Sequence, residues 1–83
     1  HIAIVDDHRL VREGMKSVLE RFPDFKVVLE AENGRQFMEK LQNKEAVIDV
    51  VLLDITMPVL NGIDTIPEIK AFDKDIAIVM LSM

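Results

Sequence analysis

The sequence predicts an α/β fold in the order β-α-β-α-β-α-β, a parallel sheet wound with helices on both faces. Two observations point there. Ile2–Val5, Val50–Leu53 and Ile76–Leu81 are apolar at every position, the pattern of strands buried on both faces. Stretches with apolar residues at helical spacing alternate with them, and right-handed crossovers then place helices on both sides of the sheet.

The elements follow in order. Ile2–Val5 is the first strand. Val11, Met15, Val18, Leu19 and Phe22 form one stripe and predict a helix over 11–22 that Pro23 stops. Lys26–Leu29 reads as a second strand, and Asn33-Gly34 as a turn. Phe37, Met38 and Leu41 predict a short amphipathic helix ending near Asn43. Val50–Leu53, starting a residue or two earlier, is the third strand. Met57-Pro58 and Asn61-Gly62 mark a loop. Ile63, Ile66, Ile69 and Phe72 recur at threes and predict a third helix. Pro67 fits only in a first turn, with Asp64 or Thr65 as N-cap. Ile76–Leu81 is the fourth strand.

With 83 residues, 49% hydrophobic and 30% charged, the chain is one globular domain. Cysteine is absent, so disulfides and Cys-ligated metal centres are excluded. No apolar run approaches the ~18–20 residues that cross a bilayer. Fifteen acidic and ten basic residues give a net charge of −5. Arg9, Arg12 and Lys16 are the largest basic cluster, and with Glu13 and Glu20 they read as a solvated helix face. Direct nucleic-acid contact is therefore not expected. Met15, Met38, Met80, Phe22 and Phe37 read as inward-facing core. The chain opens at His1 within a strand pattern and closes at Met83 just past another, so both ends read as cut.

In parallel α/β sheets the ligand sits at the carboxyl ends of the strands. Asp6 and Asp7 follow the first strand, Asp54 the third and Ser82 the fourth. If the first and third strands are neighbours, three carboxylates converge. Two of them ~4 Å apart repel by roughly 4 kcal/mol at an effective dielectric of ~20, so the cluster calls for protons or a cation. Hard oxygen ligands suit Mg²⁺, with room for a phosphoryl oxygen. A carboxylate beside that ion is a candidate nucleophile for an aspartyl-phosphate. The plainer reading of Asp7 is a helix N-cap, and of His8 a solvated first-turn residue. The D-D-H-R-L turn contains no glycine, which excludes a P-loop and a dinucleotide fingerprint. A haloacid-dehalogenase-like phosphatase would need an Asp where Thr56 stands. A phosphohydrolase of another fold would need a general base beside Asp54, and none is evident.

I-V-D-D-H-R-L-V-R-E-G-M, V-V-L-L-D-I-T-M-P-V-L-N-G-I-D and I-V-M-L-S-M, in this order and spacing, resemble the receiver domain of bacterial response regulators. D-D-H and R-E-G-M resemble the NarL/FixJ type, whose output is a helix-turn-helix DNA-binding domain. The resemblance implies a flavodoxin-like, doubly wound parallel sheet of order 2-1-3-4-5. Residues 1–83 would form a partial receiver, without the fifth strand and last helices. It also implies that Asp54 is the phosphoacceptor and that Asp6 and Asp7 bind Mg²⁺. The Thr56 backbone carbonyl would complete the coordination, Ser82 would be the switch hydroxyl, and Met57, Pro58 and Gly62 would shape the pocket. The implied partner is a sensor histidine kinase. The implied role is a cytoplasmic, regulatory switch, not an enzyme, that dimerises on phosphorylation and controls a DNA-binding output domain.

A receiver also carries a Lys at the end of its fifth strand. Lys70 and Lys74 precede the fourth strand and do not match it. Without a fifth strand, Ile76–Leu81 becomes an apolar edge that favours strand pairing. The expectation is self-association through that strand or the bare sheet faces, unless further residues cover them. The alternative function is a phosphorylation-independent interaction module.

Overall fold

The computed structural model describes residues 1–44, 46–55 and 62–81. Its elements are β1 (Ile2–Val5), α1 (Arg9–Leu19), β2 (Val27–Ala31), α2 (Gly34–Gln42), β3 (Val50–Asp54), α3 (Gly62–Phe72) and β4 (Ala77–Leu81). All strand pairs are parallel and the order is β2-β1-β3-β4. The flavodoxin-like expectation holds, with β1 and β3 as the central neighbours.

Strand alternation sorts the side chains. Ala3, Val5, Val51 and Leu53 point to one face, where Phe37, Met38, Leu41, Ile69 and Ile76 close a buried core with Leu29 and Ala31. Burying each of the larger side chains contributes roughly 1.5–3 kcal/mol. Ile4 pairs with Leu52, which pairs with Val79, on the opposite face beneath α1. Exposure grows along that row: Ile4 is fully buried, Leu52 half-buried, and Val79 exposed at 44%. Leu52, Val11, Gly14, Met15, Val18 and Leu19 line an open apolar groove of about 390 Å³ there. Among the described residues β4 is an outer strand of the sheet, as expected.

The boundaries differ from the sequence reading at several points. Helix α1 begins two residues early and ends at Leu19, not Phe22. Its first bond runs from Arg12 N–H to the His8 carbonyl, 3.0 Å. Phe22 leaves the helical stripe, packs on Phe25 with ring centroids 5.7 Å apart, and stays half in solvent. Met80 is exposed as well, so neither belongs to the core, whereas Phe37 and Met38 do. Asn33 caps α2 by accepting the Gln36 N–H at 2.8 Å, so the predicted turn is a helix start. Helix α3 begins at Gly62, which puts Asp64 and Thr65 inside it rather than at its cap. Pro67 therefore lies in the helix interior, where it has no N–H for the Ile63 carbonyl. Ile69, buried in the core, and Thr65, also fully buried, hold this helix in place despite the lost bond. Among the described residues no helix is long and apolar enough to cross a membrane.

Candidate functional site

The register of the central strands builds the site. Val5 lies opposite Leu53, so the chain delivers Asp6 from β1 and Asp54 from β3 to adjacent places on the carboxyl rim. Asp54 ends β3 while still paired with Leu81 of β4, and the following Ile55 N–H reaches the Leu81 carbonyl at 3.3 Å. Asp6 and Asp54 are almost fully buried, whereas Asp7 faces solvent. Ligand atoms of Asp6, Asp7, His8 and Asp54 all lie within 4.8 Å of one another. The three predicted carboxylates therefore converge.

Asp6 is held at both its side chain and its backbone. Its carboxylate accepts the His8 N–H at 2.8 Å, a local side-chain bond that turns the chain into α1. Its carbonyl accepts a hydrogen bond from the Arg12 guanidinium. His8 is the N-cap of α1 and makes no side-chain cap, so the expected capping role for Asp7 is not realised. His8 Nδ1 lies 3.2 Å from Asp6 Oδ1 and 3.0 Å from Asp7 Oδ1. The ring is largely exposed, yet it touches both acids. This contact departs from the solvated first-turn role expected for His8. The D-D-H adjacency was the available signal.

Arg12 is a second correction. It is buried, not part of a solvated face, while Arg9 and Glu13 keep that face with an exposed ion pair at 3.1 Å. Lys70 Nζ donates to the Ile76 carbonyl at 2.7 Å and the Lys74 carbonyl at 3.2 Å. It is thus committed at the opposite, amino end of β4. Thr56, Met57, Pro58 and Ser82 lie outside the described residues.

The donor set fits a small hard cation. Mg²⁺ takes oxygens at about 2.0–2.1 Å in near-octahedral geometry, which puts its ligands about 3–4 Å apart. The ligand atoms of Asp6, Asp7 and Asp54 already lie within 4.8 Å of one another, close to that spacing. Three carboxylates also supply the negative charge that a dication offsets.

The sheet order, the crossovers and this rim define a flavodoxin-like α/β domain with an acidic cluster at its switch between β1 and β3. The chain belongs to the response regulator receiver domain family, whose sequence pattern matches residues 2–83. It is 35% identical to the nitrate/nitrite response regulator protein NarL of Escherichia coli strain K12 over 82 residues, 99% of this chain and 37% of NarL. It is 46% identical to the chemotaxis protein CheY of Bacillus subtilis over 81 residues, 98% of this chain and 65% of that protein. Its fold matches the CheX–CheY–BeF₃–Mg²⁺ complex from Borrelia burgdorferi with a TM-score of 0.87 and 32% identity. That match covers 98% of this chain and 60% of the other. The chain thus spans about a third of regulators such as NarL. Similarity to NarL agrees with the NarL/FixJ type expected from D-D-H and R-E-G-M.

Proposed function

We propose that this chain is the phosphoacceptor switch of a two-component system, with Asp54 as the acceptor. The observation behind the proposal is the convergence of Asp6, Asp7 and Asp54 on one rim. The Borrelia CheY neighbour, named with both Mg²⁺ and a beryllofluoride group, supports the same ligands here. Asp6, Asp7 and Asp54, with the Thr56 backbone carbonyl, would hold Mg²⁺. When bound, the ion neutralises the oxygens of the transferring group.

The donor is a phosphohistidine of a sensor kinase. An Asp54 carboxylate oxygen attacks phosphorus, the P–N bond breaks, and its electron pair returns to the donor imidazole. Asp54 becomes an acyl phosphate, and Ser82 supplies the hydroxyl that engages the phosphoryl group. The reaction is stoichiometric and its product is a signal, so the proposed role is regulatory, and a kinase donor of this kind goes with a cytoplasmic site of action. Signalling would pass to a DNA-binding output domain controlling transcription. Incubation with acetyl phosphate and Mg²⁺ tests this by intact mass. The expected result is a gain of one phosphoryl group, absent in Asp54→Asn. No gain, or an equal gain in the variant, overturns it.

A second reading, a phosphorylation-independent module that self-associates, draws on one observation. Val79 and Met80 of β4 are exposed at 44% and 37%, on an apolar outer strand of the kind that pairs with another chain. A chain that dimerises without taking a phosphoryl group or its beryllofluoride mimic would favour it.

A further inference from the structure

We infer that Arg12 is a positioning residue for the cation site: it fixes the peptide joining Asp6 to Asp7 and thereby aims the Asp7 carboxylate. This deepens the proposed Mg²⁺ role and rests on it. Arg12 is only 9% exposed, and a buried guanidinium is costly unless its donors are used. One donor goes to the Asp6 carbonyl. The Asp6 carboxylate is meanwhile fixed by the His8 N–H at 2.8 Å. That carbonyl and the Asp7 N–H belong to one rigid peptide plane, so anchoring one end fixes the plane from which Asp7 departs and leaves rotation about its N–Cα bond as the one backbone freedom that aims its side chain.

The charge of Arg12 is answered elsewhere. Its Nε lies 3.7 Å from Glu30 Oε1 on β2, and Lys16 Nζ lies 3.7 Å from Glu30 Oε2. Lys40 Nζ donates to the Glu30 carbonyl at 2.8 Å. The acid that balances Arg12 is thus tied to α1 and α2 as well as to its own strand. What Arg12 delivers to the rim is orientation, braced from β2.

The sign of the effect separates geometry from charge. Deleting a positive group that binds the Asp6 carbonyl at the acidic rim strengthens cation binding by Coulomb's law. Losing the anchor weakens it, and groups that orient metal ligands typically change affinity by about 10–100-fold. Mg²⁺ affinity is measured by calorimetric titration of the wild-type chain, Arg12→Ala, Arg12→Lys and the core variant Met38→Ala. Amide NMR in the absence of Mg²⁺ follows the Asp7 N–H. Arg12→Ala is expected to weaken Mg²⁺ binding about tenfold and to shift the Asp7 amide. Arg12→Lys recovers part of both. Met38→Ala melts earlier but leaves both unchanged. If Arg12→Ala does not fold cooperatively, Arg12→Met, which keeps the apolar stem packed, replaces it. Unchanged or tighter Mg²⁺ binding in the Arg12 variants overturns the inference alone. No saturable Mg²⁺ binding by the wild-type chain overturns it together with the proposed function.

Discussion

Asp6 and Asp54 meet across the boundary between β1 and β3 while 4% and 2% exposed, their carboxylates within 4.8 Å of each other. The pairing of Val5 with Leu53 puts them there, and a well-packed core beneath them holds the strands in that register. Folding therefore brings like charges together at the rim. At an effective dielectric of ~20 such a pair opposes folding by a few kcal/mol, roughly 4 at ~4 Å.

Removing one of these charges is expected to stabilise the cation-free protein. Asp54→Asn raises the unfolding free energy by about 1–2 kcal/mol, since the amide fills the same space and relieves the repulsion. Mg²⁺ narrows the gap. An ion present at about a hundredfold excess over its Kd stabilises the wild-type chain by about 2.7 kcal/mol, and the variant by less. Urea denaturation with and without Mg²⁺ checks both halves.

His8 occupies oxygens that the cation would use. Its Nδ1 touches Asp6 Oδ1 and Asp7 Oδ1, so His8→Ala frees both. The expected outcome is Mg²⁺ binding tightened a few-fold, with a loss of no more than about 1 kcal/mol in the cation-free chain, because the ring is largely exposed. Calorimetric titration reads the first effect and thermal melting the second.

Gly14 sits inside α1, and a Cβ built on it meets nothing within 4 Å. Glycine in a helix interior costs about 0.8–1.0 kcal/mol relative to alanine. Gly14→Ala is therefore expected to stabilise the chain by about that amount without altering Mg²⁺ affinity. Chemical denaturation measures the gain.

Val79 stands on the α1 side of β4, beside Leu52, where the sheet face is most exposed. Val79→Lys places a charge on the outer strand and is expected to suppress self-association. Light scattering over a range of concentrations would show the wild-type mass rising and the variant's staying flat. A flat wild-type curve removes the second functional reading.

Much of this was legible in the sequence, for a physical reason. Ile2–Val5 and Val50–Leu53 are apolar on both faces, as central parallel strands are, and Asp6 and Asp54 follow directly after them; Ile76–Leu81 shares the pattern, although β4 is an outer strand among the described residues. Strand order and spacing thus place Asp6, Asp7 and Asp54 at one rim once β1 and β3 are neighbours. Helix ends were less legible. Phe22 continues the helical spacing, yet it turns away to stack on Phe25. Pro67 suggested a late start to α3, but burial of Thr65 and Ile69 keeps an earlier one. The roles of His8 and Arg12 depend on side-chain direction, which spacing does not encode. Arg12 has the spacing of a surface cation, and its partner Glu30 lies eighteen positions along the chain on another element.

The central claim is that Asp6, Asp7 and Asp54 act together as one cation site. An NMR titration of the wild-type chain with Mg²⁺, following the backbone amides of all three residues, tests it most directly. The account predicts that the three shift along a single saturating curve with one Kd, and that Asp54→Asn weakens the response at Asp6 and Asp7. Shifts confined to Asp6 and Asp7, with Asp54 unmoved, would contradict it.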